Sequence, residues 1–133
     1  MEGTNHTYRK YSFPKQERLS SKKSIDALFT KGASFYFYPF SVRFLLAEEN
    51  ATCHQFMVSV SKRNFKRAVD RNRIKRLIRE SYRLHKHLLN ALLPEGKFLL
   101  IAYIYTGKEI HPFDFVESKL VDSFKRLKSK IDK

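Results

Sequence analysis

One stretch of the chain, residues 59–86, constrains the fold most strongly because it combines an apolar surface with a basic one. Its apolar surface consists of Ile74, Leu77, Ile78, Ser81 and His85, and the same spacing of three or four residues continues beyond the stretch to Leu88 and Leu92. That spacing places them on one face of an α-helix. The opposite face carries Asn72, Arg76, Arg79, Arg83 and Lys86. The stretch therefore predicts a helix that buries one side in a core and turns a basic face outward.

Acidic residues are scarce beside this basic face. Only Asp70 and Glu80 interrupt residues 59–86. A helix face that is merely solvated usually mixes Glu with Lys, because such pairs stabilise the helix locally. The imbalance favours a polyanionic partner, although a solvated basic face remains the alternative.

The net charge of the chain points to the same class of partner. Lysine and arginine number 27 against 13 acidic residues, which gives a formal charge of +14. Nucleic acid is the leading partner for such a charge. A membrane surface ranks second, but the apolar helix face is matched by other apolar segments that can cover it. We therefore expect no membrane partner.

The sequence also indicates a cytoplasmic protein. Cys53 is the single cysteine, so no internal disulfide can form. The first residues lack the apolar stretch of a signal peptide. The longest apolar run, residues 98–105, is far too short to span a bilayer.

The order of elements predicts an α+β fold with one domain at residues 17–133, preceded by a flexible basic arm at 1–16. A helix starts after a Ser20 or Ser21 cap and stops at Gly32, which can adopt positive φ cheaply. The apolar face of this helix is Ile25, Leu28 and Phe29. Residues 35–40 form an aromatic loop that leads into the first strand.

Three further segments complete the prediction. Residues 40–46 and 52–60 alternate apolar and polar side chains, and we expect them to pair as an antiparallel hairpin. The second strand should turn Phe56, Val58 and Val60 inward. Residues 98–105 are apolar throughout, which is typical of a central strand buried on both faces. A last helix begins at Pro112, so helices cover a small mixed sheet.

No catalytic constellation stands out in the sequence. The four glycines are scattered, so there is no phosphate-binding loop. The acidic residues are dispersed, and capping explains Asp114 and Glu117 better than catalysis does. His85 is predicted to be a satisfied histidine at the edge of the core. Cys53 and His54 lack the spacing of a zinc site. The sequence therefore predicts no catalytic residue and no metal site.

The motif around the basic helix closely resembles the protein component of bacterial ribonuclease P. The resemblance rests on VSVSKR at residues 58–63 and AVDRNRIKRLIRE at 68–80. It continues through Arg18-Leu19, Lys31-Gly32, residues 98–102 and residues 124–127, and so covers about residues 17–131.

The resemblance implies an α-β-β-β-α-β-α domain of the ribosomal protein S5 domain 2-like type with a left-handed crossover. It implies that a catalytic RNA, using Mg²⁺ held mainly by that RNA, removes the 5′ leader of precursor tRNA, with one protein per RNA and no DNA partner. The residues implied to bind the RNA subunit are Arg71, Asn72, Arg73, Lys75, Arg76 and Arg79. Those implied to line the leader cleft are Phe29, Ser59, Ser61, Lys62 and Arg63.

Two positions depart from the family pattern. Phe65 stands in the loop where the family usually has glycine, so the shape of that loop should differ. Tyr103 replaces a basic residue after the buried Ile-Ala, and we expect it to offer a stacking surface instead. The aromatic residues 35–38 are, with Phe29, candidate stacking partners for leader nucleotides, although core packing is their alternative role.

Two other functions remain open from the residues alone. The chain could be a stand-alone basic RNA-binding or ribosome-associated protein without a nuclease partner. A DNA-binding helix is the weaker reading, because there is no helix-turn-helix pattern.

Overall fold

A four-stranded sheet with helices on both faces forms the domain. The structure is a computed structural model and describes residues 12–132. Its elements are a short 3₁₀ turn (Lys15–Glu17), α1 (Lys22–Lys31), β1 (Ala33–Phe37), β2 (Phe40–Leu46), β3 (Gln55–Val60), α2 (Ala68–Leu92), β4 (Leu99–Tyr105) and α3 (Phe113–Ile131). The α+β class and the order α-β-β-β-α-β-α are confirmed. The hand of the crossover through α2 stays a prediction.

The sheet corrects one predicted pairing. Its strand order is β1-β2-β4-β3, with β2 antiparallel to β1 and β4, and β3 parallel to β4. The predicted hairpin between the segments now called β2 and β3 is wrong, because β4 lies between them. The hairpin is formed by β1 and β2 instead, and much of the predicted aromatic loop is strand β1. The central position of β4 is confirmed.

Helices α2 and α3 cover one face of the sheet and form the main core with it. Phe56, Val58 and Val60 point into this core as predicted. The ring of Phe56 stacks on Tyr82 of α2 with centroids 3.8 Å apart. Tyr103 is completely buried on the same face, where its hydroxyl hydrogen-bonds the Ser123 hydroxyl of α3. The prediction that Tyr103 offers a stacking surface is therefore wrong.

Helix α1 covers only part of the other face. Leu28 packs there with Leu100 and Ala102 of β4. The predicted cap is confirmed, because the Ser21 hydroxyl accepts a hydrogen bond from the Ser24 N–H at 3.4 Å. This partial cover leaves the remainder of the face accessible.

Gly32 ends α1 for a different reason from the one predicted. Its φ is −72°, so positive φ is not required. A Cβ at this position would lie 2.9 Å from the carbonyl oxygen of Phe44 and even closer to that of Leu28. Glycine is needed because helix and sheet approach each other closely here.

Replacing Gly32 by Ala should therefore destabilise the domain by about 1–3 kcal/mol, the usual cost of overpacking. Thermal denaturation measures the effect. The matched control is Gly96→Asn, since Gly96 has open space around its Cβ position and a φ of 81°, which Asn tolerates. Equal melting of Gly32→Ala and the unaltered protein would contradict the close approach.

The second half of α2 also departs from the predicted register. Lys86, predicted on the outward basic face, is buried and ion-paired with Glu17, while Leu88 of the predicted apolar face is 37% exposed. Tyr82 and Leu89 are buried instead. Residues 13–19 lie against this part of the helix and cover positions that periodicity alone assigns to solvent.

The N-terminal boundary of the domain stays a prediction. Most of the predicted flexible arm, residues 1–11, lies outside the described residues. Phe13, within that predicted arm, packs edge-on against Tyr82 and Phe56, with centroids 5.6 and 6.2 Å away. Among residues 12–132, no helix is both long and apolar enough to cross a membrane.

Candidate nucleic-acid interface

A basic groove runs between α2 and residues 13–19. It has a volume of about 420 Å³. Its lining residues are Phe13, Arg18, Asn72, Arg76, Arg79, Glu80 and Arg83. We call this surface the arginine groove. A concave surface with four guanidinium groups and one carboxylate attracts and concentrates polyanions.

Backbone contacts hold residues 13–19 beside the helix. Arg18 forms an isolated parallel bridge with Phe56 at the outer edge of β3. The Leu19 N–H donates to the Phe56 carbonyl at 3.0 Å. The groove wall opposite α2 is thus an extension of the sheet edge.

The guanidinium groups of the groove are not equivalent. Arg83 is paired with Glu80, and its Nε donates to Oε2 at 3.1 Å. This hydrogen bond lowers the pKa of Glu80 and raises that of Arg83. Arg18, Arg76 and Arg79 form no ion pair with any residue from 12 to 132. Their charge is therefore available to a ligand.

The other predicted RNA contacts on α2 lie outside the groove. Arg73 is exposed, and Lys75 is half-buried. Arg71 donates from Nη1 to the carbonyl oxygens of Phe65 and Lys66, at 2.8 Å each. It shapes the loop before α2, and its contact with RNA stays a prediction.

The loop that carries Phe65 keeps ordinary backbone conformations. No non-glycine residue from 12 to 132 has positive φ. The Phe65 ring is buried, 6.1 Å from that of Tyr105. The Phe65 N–H donates to the Ser61 carbonyl at 3.1 Å. A buried side chain thus anchors the loop at the position where glycine is expected.

The accessible part of the α1 face of the sheet forms the second candidate surface. Strand register places Tyr36, Ser41, Ile104 and Ser59 in one row across the four strands. Their side chains share the face to which Ala102 and Leu100 belong, because alternate residues of a strand point the same way. This row, with Phe29 of α1, defines what we call the sheet cleft.

Phe29, the α1 member of the sheet cleft, contacts Arg43 of β2. The Arg43 guanidinium carbon is 5.3 Å from the centre of the Phe29 ring, and Nη1 donates to the Phe29 carbonyl at 3.3 Å. The ring is still 37% exposed. Sequence reasoning missed Arg43, although a lone cation on the polar side of an apolar strand was a usable signal.

The remaining predicted cleft residues follow Ser59 at the end of β3. The Ser61 hydroxyl accepts a hydrogen bond from the Arg63 N–H at 3.0 Å, which shapes the turn. Lys62 and Arg63 are exposed on that turn. The structure thus brings Phe29 and Ser59 to the same face of the sheet and places two cations at its end.

The aromatic residues at 35–38 have different roles. Phe35 is buried in the core, whereas Tyr36 is 59% exposed in the sheet cleft. The Tyr38 hydroxyl is 3.0 Å from Nε2 of His111, and both rings lie near Phe115. Of these aromatic residues, Tyr36 is therefore the one that is exposed in the sheet cleft.

The polar residues considered for catalysis or metal binding have structural partners. His85 Nε2 lies 2.9 Å from Oε2 of Glu117, so the predicted satisfied histidine is confirmed. His54 is buried, accepts the Leu99 N–H at Nδ1, and burial lowers its pKa to about 4. Burial also raises the pKa of the Cys53 thiol. Within residues 12–132 no three His, Cys, Asp or Glu side chains cluster as metal ligands.

Comparison with known proteins matches most of the chain to one family. The family model for Ribonuclease P matches residues 13–128. The Ribonuclease P protein component of Porphyromonas gingivalis is 40% identical over 119 residues, covering 88% of this chain and 87% of that protein. The Ribonuclease P protein component of Chlorobium phaeobacteroides is 35% identical over 123 residues, covering 82% and 83%.

Solved structures agree with these matches. The RNase P protein from Thermotoga maritima has a TM-score of 0.65 and 27% identity, with 83% of this chain and 96% of that chain covered. The Staphylococcus aureus RNase P protein also has a TM-score of 0.65, over 84% of this chain and 94% of that chain. Its 24% identity supports the fold alone.

Proposed function

Because the chain belongs to the bacterial ribonuclease P protein family, we propose that it binds the catalytic RNA through the arginine groove and the precursor-tRNA leader through the sheet cleft. Family membership makes it a protein component of a ribonucleoprotein endoribonuclease that processes tRNA. In this proposal each surface binds one RNA: the arginine groove binds the catalytic RNA, and the sheet cleft binds the precursor tRNA.

The observation that carries this proposal is the set of exposed guanidinium groups in the arginine groove. Arg76 and Arg79 project from one helix face and have no carboxylate partner among residues 12–132. Guanidinium groups bind phosphate oxygens with two parallel hydrogen bonds and release condensed counterions from the nucleic acid. A folded RNA presents such phosphates at high density.

The sheet cleft suits a single strand of variable sequence. Phe29 and Tyr36 present aromatic faces on which unpaired bases can stack. Ser41 and Ser59 supply hydroxyl groups in the same row as Tyr36, and Lys62 and Arg63 can hold backbone phosphates. Stacking tolerates any base, which is what leaders of different tRNAs require.

The chemistry of cleavage belongs to the RNA subunit in this proposal. The Mg²⁺ ions are held mainly by RNA phosphates, which are hard oxygen ligands. One protein binds one RNA, in the cytoplasm, and neither DNA nor a membrane takes part. The protein contributes binding and orientation of the two RNAs.

Replacing Phe29 by Ala should weaken binding of precursor tRNA more than binding of mature tRNA, since only the precursor carries a leader. The loss is about 1–3 kcal/mol if one base stacks on the ring. Equilibrium binding of both RNAs to the reconstituted ribonucleoprotein measures the difference. Leu88→Ala is the matched control, because Leu88 is also 37% exposed but lies on α2. Equal losses for both RNAs would assign Phe29 to packing alone.

The alternative function is that of a stand-alone RNA-binding or ribosome-associated protein. Purification of the native protein from its own cells, followed by sequencing of bound RNA, separates the two functions. We expect one long structured RNA at about one copy per protein. Co-sedimentation with ribosomes and the absence of such an RNA would support the alternative and overturn the proposal.

A further inference from the structure

A second wall makes the arginine groove two-sided. Residues 13–19, which we call the strap, run along the outer edge of β3 and face α2. They are tied to the sheet through the bridge between Arg18 and Phe56 and the hydrogen bond from the Leu19 N–H. Phe13 anchors the start of the strap against Tyr82. The strap is thus a docked element with defined contacts.

A buried ion pair joins the strap to the helix. Lys86 Nζ lies 2.5 Å from Oε1 of Glu17, and the two side chains are only 7% and 19% exposed. A buried pair adds little net stability compared with apolar residues, because desolvation offsets the attraction. Its geometry is nevertheless specific, and it connects the strap to the helix that carries Arg76 and Arg79. This pair and the contact of Phe13 with Tyr82 therefore both tie the strap to α2.

Arg18 is the residue of the strap whose guanidinium group lines the groove. Its Nε donates to the Phe13 carbonyl at 3.2 Å, and its guanidinium carbon lies 5.4 Å from the centre of the Phe13 ring. The guanidinium has five N–H donors, of which this contact uses one. The remaining donors line the groove together with Arg76 and Arg79 on the facing helix.

We propose that the arginine groove clamps one stretch of the RNA subunit's phosphate backbone from both sides. Arg18 is a further RNA-binding residue, and the Glu17–Lys86 pair is the positioning contact that holds Arg18 opposite the helix. The volume of about 420 Å³ falls within the usual range of small-molecule pockets. The single carboxylate in the groove, Glu80, is engaged by Arg83 and does not oppose the phosphates. This inference rests on the proposed function.

Salt dependence of RNA binding tests the contact of Arg18. Each lost phosphate contact should lower the slope of log K against log salt by about 0.7–0.9. We expect this decrease for Arg18→Ala and for Arg76→Ala with ribonuclease P RNA, and none for Lys125→Ala. Lys125 is an exposed cation of α3 and controls for the loss of one charge.

The outcomes separate this inference from the proposed function. An unchanged slope for Arg18→Ala, together with a reduced slope for Arg76→Ala, would overturn the two-sided clamp and leave the proposed function standing. Unchanged slopes for both variants would count against the proposed function itself.

The positioning role of the ion pair needs variants that keep the fold. Glu17→Gln with Lys86→Met removes both charges, so no buried charge remains unpaired. We expect this double variant to melt near the unaltered protein but to bind RNA with a slope reduced as in Arg18→Ala. Adding Arg18→Ala to it should then lower the slope no further.

A double variant that keeps the full slope, or a further decrease on adding Arg18→Ala, would overturn the positioning role. If the double variant fails to fold, Glu17→Met with Lys86→Met, which replaces the whole pair by apolar side chains, supplies the same comparison with and without Arg18→Ala. Circular dichroism on each variant decides which comparison applies.

Discussion

Replacing both Arg76 and Arg79 by Ala should reduce the salt slope of RNA-subunit binding by about 1.4–1.8, if each guanidinium contacts one phosphate. Affinity should fall with it, most strongly at low salt, where counterion release contributes most. Folding should be unaffected, because both side chains are exposed and Ala is a good helix former. Filter binding or fluorescence titration across a series of salt concentrations measures the slope.

The matched control removes two cations elsewhere. Lys125 and Arg126 are both exposed near the C-terminal end of α3. Their joint replacement by Ala changes the net charge equally, so a general electrostatic effect would lower both slopes alike. Equal slopes for the two double variants would contradict a local site on α2. Weak binding of the α2 double variant at an unchanged slope would indicate misfolding.

Purified protein alone should leave precursor tRNA uncleaved at every magnesium concentration. Phosphodiester hydrolysis requires an activated water and stabilisation of charge on the attacking and leaving oxygens, which proteins commonly achieve with metals held by clustered carboxylates. The candidate interface has Glu80 in its groove, and that carboxylate is engaged by Arg83. Lysine and arginine stay protonated at neutral pH and are poor general bases.

We therefore expect the metal ions to be held by another component. RNA phosphates provide hard oxygen ligands for Mg²⁺, and the basic surfaces described above can bring such an RNA and its substrate together. The expected contribution of the protein is therefore to affinity and to the magnesium requirement. Single-turnover cleavage rates, measured with the RNA subunit at several magnesium concentrations in the presence and absence of protein, check this expectation.

Periodicity predicted the elements well but not all of their partners. The alternating apolar residues of β3 gave its inward face correctly, and the apolar run at 98–105 gave the central strand. Alternation specifies a face and carries no information about which strand lies alongside. The pairing of β2 with β1 and β4 therefore could not be obtained from the pattern.

The prediction of a basic face on α2 is correct only for the part of the helix that is exposed to solvent. Arg76 and Arg79 are exposed as expected, but Lys86 is covered by the strap. Glu17 lies 69 residues from Lys86 in the chain, so the spacing of residues within α2 carries no information about this contact. Gly32 illustrates the same limit, because the carbonyl of Phe44 that excludes a side chain belongs to a different element.

The sequence predicted the basic helix of the candidate site. It did not predict the residues from other elements that complete the two surfaces. The Arg-Asn-Arg helix is evident in the sequence, whereas the roles of Arg18 and Arg43 follow only from their tertiary contacts. Tyr103 shows the reverse case, since the departure from the family pattern suggested an exposed stacking surface, whereas the apolar run at 98–105 correctly predicted burial. The pleat of a strand sets the direction of each side chain, and the layers that cover each face decide whether that side chain is buried.

Reconstitution with end-labelled precursor tRNA tests the central claim most directly. Three reactions contain RNA-free protein, a bacterial ribonuclease P RNA, or both, at physiological magnesium, and a gel resolves the products. We expect mature 5′ ends at an appreciable rate only when protein and RNA are combined. Accurate cleavage by rigorously RNA-free protein, or no gain when the protein is added to the RNA, would contradict the claim that this chain is the binding subunit of an RNA enzyme.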